Sequence, residues 1–347
     1  MDYPDLPVKN EAADNFEFRD LRGLNLSGKD LTKVDPKTLI TTNFDTQTKW
    51  PQKEKLPAEF DPEALMEAGK NPGLGLKQLH EQGIDGRGVR VAIIDQQLLL
   101  GHQEYSIHQY QVHDIKPDEP MSMHGTAVAS LLVGRTCGVA PKAELFFHAA
   151  PQGKDFESYT SALREIIDFN RAQTDKSQKI QVVSCSKGYS VASALPGQKE
   201  WETTIQEARA SGIILVDTTN NCGIEFVGGG STENKDDSDS YQTWNDLKKR
   251  NLTQSSNLIT IPSDDRTFAS FKGPTDYEYN GTGGLSWSVP YLAGIFTLAL
   301  QVNTDLKQNE IVRIINETTS DNKNGLRLIN PKGIIERVKG TLTEHIP

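Results

Sequence analysis

The sequence has few cysteines and no recognisable targeting segment. Its three cysteines, Cys137, Cys185 and Cys222, are far apart and include no CxxC pair, which argues against a disulfide framework or a zinc knuckle. Free thiols favour a reducing compartment. The amino terminus, Met-Asp-Tyr-Pro-Asp, lacks the basic start and the apolar run of a signal peptide. The sequence as written therefore predicts a cytoplasmic protein, or a secreted or surface protein if a leader has been removed.

Clusters of basic residues and long apolar runs are also missing. Lys and Arg number 37 against 47 Asp and Glu, which gives a net charge of −10. Because the neutralisation of phosphates needs clustered cations, we expect no nucleic-acid partner. The longest apolar stretch, 289–302, contains Pro290 and Gly294 and is too short to cross a bilayer. We therefore expect no membrane span.

Metal-ligand spacing is absent as well. The candidate ligands are His102, His108, His113, Glu104 and Asp114. The three histidines are six and five residues apart, which matches no common ligand pattern, and the chain has no HExxH motif. The acidic segment 235–239 lacks the glycine and the glutamate of a calcium-binding loop, so we interpret it as a solvated loop.

The chain does have enough apolar residues, 36%, to bury a sizeable core. From Gly83 onward, short apolar runs alternate with helical patterns. Strands are predicted at 89–95, 143–148, 180–184, 212–217 and 258–261, and helices at 156–172, 199–211 and 286–302. Continuous apolar strands separated by helices are typical of a parallel sheet that is covered on both faces. We predict an α/β domain over 81–347, preceded by an irregular N-terminal extension over 1–80.

The extension contains one small repeat. Phe16, Leu21, Leu26 and Leu31 recur every five residues, and each follows an Asn or an Asp. This pattern resembles a single coil of a pentapeptide-repeat solenoid. Because one coil cannot bury its own core, we interpret the segment as an ordered extension that lies on the main domain.

Three polar residues stand at the ends of apolar segments. Asp95 ends a predicted strand, His124 precedes an apolar helix, and Ser286 begins another, with Pro290 in its first turn. Taken singly, they have ordinary explanations as a turn residue, a hydrogen-bonded core histidine and an N-cap serine. Their order along the chain, Asp, His, Ser, with gaps of 29 and 162 residues, distinguishes one class of serine hydrolases from two others.

Over about residues 75–320 the chain resembles the subtilisin-like serine peptidases, the subtilases. Six segments carry the resemblance: 86–95 before the family aspartate, His124-Gly-Thr, Gly138-Val-Ala-Pro141, the substrate-binding strand 184–188, the oxyanion segment 218–223, and Gly284-Leu-Ser286 with Pro290. The resemblance implies a subtilisin-like parallel sheet flanked by helices on both faces. It also implies a serine endopeptidase that acts on peptides or unfolded proteins through an acyl-enzyme intermediate.

The resemblance assigns roles to individual residues. Asp95, His124 and Ser286 would form the catalytic triad, and Asn221 would contribute to the oxyanion hole. The substrate-binding residues would be Ser186, Lys187, Gly188, Thr218, Thr219 and Asn220. No cofactor is implied: the family's tight calcium loop is reduced to Arg135-Thr-Cys137, and Glu104 alone cannot supply the 6–8 oxygens that calcium prefers.

Several positions depart from the family pattern. Gln97 and Asn220 stand where glycine is usual, Leu285 replaces a threonine, and Lys187 replaces a residue that is commonly apolar. A β-carbon at 97 is incompatible with a turn that needs positive φ. The alternative function is therefore a catalytically impaired pseudoprotease with a subtilase fold, which acts as a binding or signalling module. The resemblance also raises the hypothesis that residues 1–80 are an inhibitory propeptide.

Overall fold

The computed structural model describes residues 20–105, 110–114, 120–151, 153, 155–189, 194–243 and 258–343. Its helices, in chain order, are α1 (Pro36–Ile40), α2 (Pro62–Gly69), α3 (Leu76–Glu81), α4 (Met123–Val133), α5 (Glu157–Ala172), α6 (Gln198–Ala210), α7 (Leu285–Val302), α8 (Gln308–Thr318) and α9 (Pro331–Thr343). Its strands are β1 (Asn43–Asp45), β2 (Arg90–Asp95), β3 (Tyr110–Asp114), β4 (Glu144–Ala149), β5 (Ile180–Cys185), β6 (Ile214–Asp217), β7 (Phe226–Gly229), β8 (Ile259–Pro262), β9 (Arg266–Ala269), β10 (Tyr277–Asn280), β11 (Ser320–Asp321) and β12 (Arg327–Leu328).

Five parallel strands form the central sheet, in the order β3-β4-β2-β5-β6. Four of the five predicted strands belong to it, and the three predicted helices are α5, α6 and α7. The fifth predicted strand, 258–261, forms β8 in a separate sheet with β7, β11 and β12. An apolar run indicates that a strand is buried, but it does not identify the strand with which it pairs.

Alternate residues of the central strands enter two apolar cores. Val91 and Ile93 of β2 belong to a core that includes α4 and α7. Ala92 and Ile94, which point the other way, belong to a core that includes α5 and α6. Because both faces are covered by helices, consecutive strand positions are apolar. The predicted α/β fold, with helices on both faces of a parallel sheet, is confirmed.

Helix α7 is the central helix of the first core. It has 18 residues and, among the described residues, is the one helix long and apolar enough to cross a membrane. Most of its surface is buried inside the protein, where it packs against α4 and β5. The helix is longer than the apolar run 289–302 because it begins at Leu285.

The leucines of the five-residue repeat face a third apolar core. Leu21, Leu26 and Leu31 are all buried there together with Phe44. Their backbone N–H groups donate, in turn, to the carbonyl oxygens of Asn43, Lys49 and Lys55 at 2.7–2.8 Å. The coil formed by residues 20–34 is therefore held against the following segment. Phe16 lies outside the described residues.

The N-terminal extension is joined to the rest of the fold through a sheet. Strand β1 pairs antiparallel with β10, which in turn pairs with β9. Arg22 donates to the buried carboxylate of Glu278 at 2.7 Å, and Lys272 donates to the buried Asp45 at 2.6 Å. Because β10 leads directly into the segment before α7, the extension supports the start of that helix.

The ion pair between Arg22 and Glu278 provides a test of this attachment. We expect Arg22→Ala to lower the free energy of unfolding by about 1–3 kcal/mol, because it leaves a fully buried carboxylate without its cation. Arg313→Ala, which removes an exposed pair with Glu317, should cost less than about 1 kcal/mol. Denaturant unfolding followed by circular dichroism measures both values. Equal effects of the two substitutions would contradict a structural role for the extension.

Candidate active site

Asp95 and His124 are in direct contact. Asp95 is the last residue of β2, in the middle of the sheet and at the carboxyl ends of its strands. His124 is the second residue of α4, and its Nδ1–H donates to Asp95 Oδ1 at 2.7 Å. The backbone N–H of Gln96 donates to the same oxygen at 2.8 Å, which orients the carboxylate. Asp95 is buried, so this hydrogen bond is shielded from water.

Glycine at position 125 makes this contact possible. A β-carbon at Gly125 would overlap the carbonyl oxygen of Gln96, so only glycine allows the first turn of α4 to rest on the loop after β2. Two further hydrogen bonds join the same elements: Ser122 N–H donates to Gln97 O at 2.9 Å, and Leu99 N–H donates to Thr126 Oγ1 at 2.8 Å. The His-Gly-Thr sequence therefore allows α4 to pack on the loop after β2.

The loop after β2 does not need a glycine at 97. The described non-glycine residues with φ in the left-handed region are Leu74, Asn220 and Asp265. Gln97 is not among them, and its Oε1 accepts the N–H of Leu98 at 3.1 Å. The expected conflict between the β-carbon of Gln97 and this turn is therefore absent.

The environment of His124 favours its protonated form. Burial disfavours the charged imidazolium, but the charge of Asp95 and its hydrogen bond outweigh this effect, so the pKa of His124 is raised above its usual value. The indole of Trp287 packs beside the imidazole, with 5.3 Å between ring centroids. The imidazole therefore contacts both a carboxylate and an aromatic ring.

Ser286 is connected to this pair through the next residue in the chain. It is the second residue of α7 and precedes Trp287, which contacts His124. Its carbonyl oxygen accepts a hydrogen bond from Ser186 Oγ at 2.8 Å. Within the described residues, no hydrogen bond joins the Ser286 hydroxyl to His124. The link between Ser286 and the Asp95–His124 pair is therefore its neighbour Trp287, and the contact between the Ser286 hydroxyl and the imidazole stays a prediction.

The loop before Ser286 is fixed by a buried carboxylate. Asp264 Oδ1 accepts the backbone N–H of Gly283 at 2.8 Å. A β-carbon at Gly283 would overlap the carbonyl oxygen of Ser263, so the two loops are in close contact. Asp264 was not singled out from the sequence, because nothing in a short polar loop shows which distant N–H it bonds.

The two predicted substrate-binding segments lie side by side at the ends of β5 and β6. A β-carbon at Gly188 would overlap the Thr218 hydroxyl, and the N–H of Tyr189 donates to Thr219 Oγ1 at 3.1 Å. These residues share one edge of the sheet with Asp95, because parallel strands end together. The surface that the two segments form includes the hydroxyl groups of Thr218 and Thr219 and is therefore polar.

The ammonium group of Lys187 contacts other groups of the protein. Its ammonium donates to the carbonyl oxygens of Gly153 and Asp155, at 3.0 and 2.5 Å. It also lies over the rings of Phe156 and Tyr159, at 4.6 and 4.1 Å from their centroids. Burial lowers the pKa of this lysine. These contacts explain how a cation is accommodated where an apolar residue is usual.

Asn220 takes the backbone conformation that a glycine would take. Its φ is 64°, in the left-handed region, where asparagine is tolerated better than most residues. Its carbonyl oxygen accepts the N–H of Gly223 at 2.9 Å and closes the turn. The departure from glycine at 220 therefore keeps the shape of the loop.

Asn221 is held by a residue that the sequence analysis missed. Asp217 Oδ2 accepts Asn221 Nδ2–H at 2.7 Å, and Oδ1 accepts the backbone N–H groups of Thr219 and Asn221 at 3.1 and 3.0 Å. Asp217 is fully buried, and burial raises its pKa. Its position gives a sequence signal: like Asp95, it is a carboxylate at the end of an apolar strand.

The surroundings of Glu104 do not fit a calcium ion. Its oxygens accept hydrogen bonds from the Thr136 N–H at 2.8 Å, the Thr136 hydroxyl at 2.6 Å and the Tyr277 hydroxyl. Burial favours the neutral acid, but these donors outweigh it and keep the pKa of Glu104 below its usual value. Calcium needs oxygen acceptors around it, whereas this carboxylate is surrounded by donors.

Among the described residues, no three His, Cys, Asp or Glu side chains are grouped so that they could hold a metal ion. The side chains of His108, His113 and Asp114 lie outside the described residues. His102 is buried, and its Nε2–H donates to the carbonyl oxygen of Asp276 at 2.8 Å.

Comparison with known proteins gives a family and a set of similar folds. Residues 86–333 match the subtilase family, peptidase S8. Comparison with curated proteins gives no match. Similar solved structures include the prenylagaramide maturation protease PagA (17% identity, TM-score 0.55, 77% of this chain and 99% of that chain). They also include the A-subunit of the AB5 toxin from E. coli (14% identity, TM-score 0.57, 78% of this chain and 99% of that chain). A third is the PatG macrocyclase domain (13% identity, TM-score 0.54, 77% of this chain and 95% of that chain). Because the family match spans more than half of the sequence, and these structures share its fold, the chain belongs to the subtilase family.

Proposed function

We propose that the protein is a serine endopeptidase that cleaves peptide bonds through Asp95, His124 and Ser286. The observation that carries the proposal is the hydrogen bond from His124 Nδ1 to Asp95. The contact of the imidazole with Trp287, the residue that follows Ser286, supports it. The hydrogen bond fixes the tautomer in which Nε2 can accept a proton. The family membership supports the same chemistry.

Proton transfer in this arrangement follows from the acidities of the groups. A serine hydroxyl is a weak nucleophile near pH 7, so His124 takes its proton as Ser286 attacks the substrate carbonyl carbon. Asp95 stabilises the resulting imidazolium without itself taking the proton. His124 then returns the proton to the departing amine, which leaves an acyl-enzyme that water hydrolyses.

The tetrahedral intermediate places negative charge on the former carbonyl oxygen. Asn221 Nδ2 has two N–H bonds, of which one is donated to Asp217, so the other can be directed at the oxyanion together with the Ser286 backbone N–H. Asp217 is thus a positioning residue that holds the amide in one orientation. An extended substrate would pair with residues 186–188, next to the polar walls formed by Thr218, Thr219 and Asn220.

Covalent labelling tests whether the site is active or belongs to a pseudoprotease. We expect a fluorophosphonate probe to label the folded protein, because the phosphorus is attacked by an activated serine. Ser286→Ala should abolish the labelling. Ser288→Ala should retain it, since Ser288 is buried in the same helix and donates to Ile261 O. Labelling detected by mass spectrometry decides the question, and a folded protein that remains unlabelled would support the pseudoprotease.

The raised pKa of His124 predicts the pH dependence. In Ser286→Ala, we expect the imidazole to titrate above its usual pKa of about 6.5, as measured by NMR of its ring C–H groups. In Ser286→Ala with Asp95→Asn, only burial remains, so the midpoint should fall below this value. Since His124 must be neutral to accept a proton, kcat/KM should fall as the pH drops through the raised midpoint. A midpoint that does not respond to Asp95→Asn would contradict the pairing.

The role of Asp217 can be separated from a general loss of stability. We expect Asp217→Asn to lower kcat roughly tenfold with little change in KM, because its amide cannot accept from Asn221 Nδ2 as the carboxylate does. Asn221→Ala alone should cost more, about 10²–10³ in kcat, the loss known for the equivalent substitution in subtilisin. If Asp217 acts through Asn221, the double variant should be no slower than Asn221→Ala. Additive losses would contradict this role.

A further inference from the structure

A cavity lies behind the turn that carries Asn221. Its volume is about 790 Å³, within the range of small-molecule sites, which is roughly 300–1,000 Å³. It is bounded by the starts of β5 and β6, the end of α6, and the segment that connects α7 to α8. Apart from the loop 221–223, none of the residues assigned to catalysis or substrate binding lines it.

Most charged residues around this cavity are cations, although the protein as a whole is acidic. Four cations line it: Lys176, Lys179, Arg209 and Lys307. The only carboxylate among the described lining residues is Asp305, and it is already paired with Lys176 at 2.8 Å. In the described part of the chain, no ion pair joins Lys179 or Lys307 to a carboxylate. An excess of cations in a concave site attracts anions.

The floor of the cavity is apolar. Ile180, Ile213 and Leu300 are buried there, and Leu306 and Val312 are partly buried. A small inorganic anion would leave this aliphatic surface in contact with water. A ligand that carries an anionic group on an apolar body would satisfy both parts of the cavity.

The cavity is connected to the candidate active site by hydrogen bonds. Arg209 donates to the carbonyl oxygen of Asn221 at 2.7 Å, and Gln308 donates to that of Cys222 at 2.9 Å. An anion that binds Arg209 would compete with the Asn221 carbonyl for this guanidinium. The residue proposed for the oxyanion hole therefore shares a partner with the cavity.

We propose that this cavity binds an amphipathic anion, a carboxylate or a phosphate ester with an aliphatic or aromatic body, and that binding lowers the rate of the active site. The first part is independent of the proposed function. The second part rests on the proposed peptidase activity and acts through Arg209 and Asn221.

Binding is tested with 8-anilinonaphthalene-1-sulfonate, an aromatic anion whose fluorescence rises in apolar surroundings. We expect saturable binding with a stoichiometry of one. Lys179→Gln with Lys307→Gln should weaken it at least about tenfold, and Val312→Trp should block it by filling the cavity. The matched control is Lys33→Gln with Lys332→Gln, two exposed lysines that do not line the cavity. Circular dichroism establishes that every variant is folded.

Several outcomes would overturn the ligand site. They are no saturable binding to the parent protein, equal binding to the cavity variants and the control, or equally tight binding of the neutral N-phenyl-1-naphthylamine. Displacement by decanoate or by phenyl phosphate distinguishes an aliphatic carboxylate from an aromatic phosphate. The site is rejected if decanoate and phenyl phosphate do not displace the probe and if the lysine and Val312 variants bind it as the parent protein does.

The effect on the active site is measured with a fluorogenic peptide. Saturating probe should lower kcat at least about twofold in the parent protein and should leave kcat unchanged in Val312→Trp. Binding without any change in kcat would reject the connection through Arg209. Because probe binding is measured without substrate, an inactive protein would leave the result for the ligand site intact.

Discussion

The close packing of Gly125 on the carbonyl oxygen of Gln96 is the constraint on which the candidate site depends. It allows the first turn of α4 to rest on the loop after β2, which puts His124 Nδ1 within 2.7 Å of Asp95. A larger residue at 125 would move the helix away from the sheet and lengthen this hydrogen bond. Helix α4 also packs along α7, the helix that contains Ser286. The geometry of the Asp95–His124 pair therefore depends on backbone packing.

Buried carboxylates hold the irregular segments around this contact. Asp264 accepts a hydrogen bond from the N–H of Gly283, in the loop before Ser286. Asp217 accepts three hydrogen bonds from N–H groups of the turn at Asn221. Glu104 accepts hydrogen bonds from the N–H and the hydroxyl of Thr136. Loops lack the regular hydrogen bonds of helices and strands, and a buried N–H without an acceptor is costly. One carboxylate that satisfies several donors fixes a loop in one conformation. At Glu104, this arrangement uses the oxygens that a metal ion would need.

The sequence predicted the layered fold because apolar runs and helical periods depend only on local positions and burial. It also predicted Asp95, His124 and Ser286 as the candidate site, since each ends or begins an apolar segment in a known order. The structure joins Asp95 to His124 by a hydrogen bond, whereas the place of Ser286 beside the imidazole stays a prediction. Contacts between distant segments were beyond prediction: the second sheet of β8, the pairing of β1 with β10, and the role of Asp217 all depend on partners far along the chain. Gln97 replaces the usual glycine without backbone strain, because its φ is not in the left-handed region.

Composition does not reveal which cations can meet a ligand. Lys187 lies in the predicted substrate-binding segment, yet its ammonium already contacts two carbonyl oxygens and two aromatic rings. Lys179 and Lys307 lie on connecting segments, where a sequence pattern gives no reason to notice them, yet both line a concave and partly apolar surface. An ammonium that already has partners contributes little to binding, because a ligand must first displace them. In an acidic protein, the cations that lack such partners create the local field that an anion meets. The neighbours of each lysine, and not its place in a motif, therefore decide which one is available for recognition.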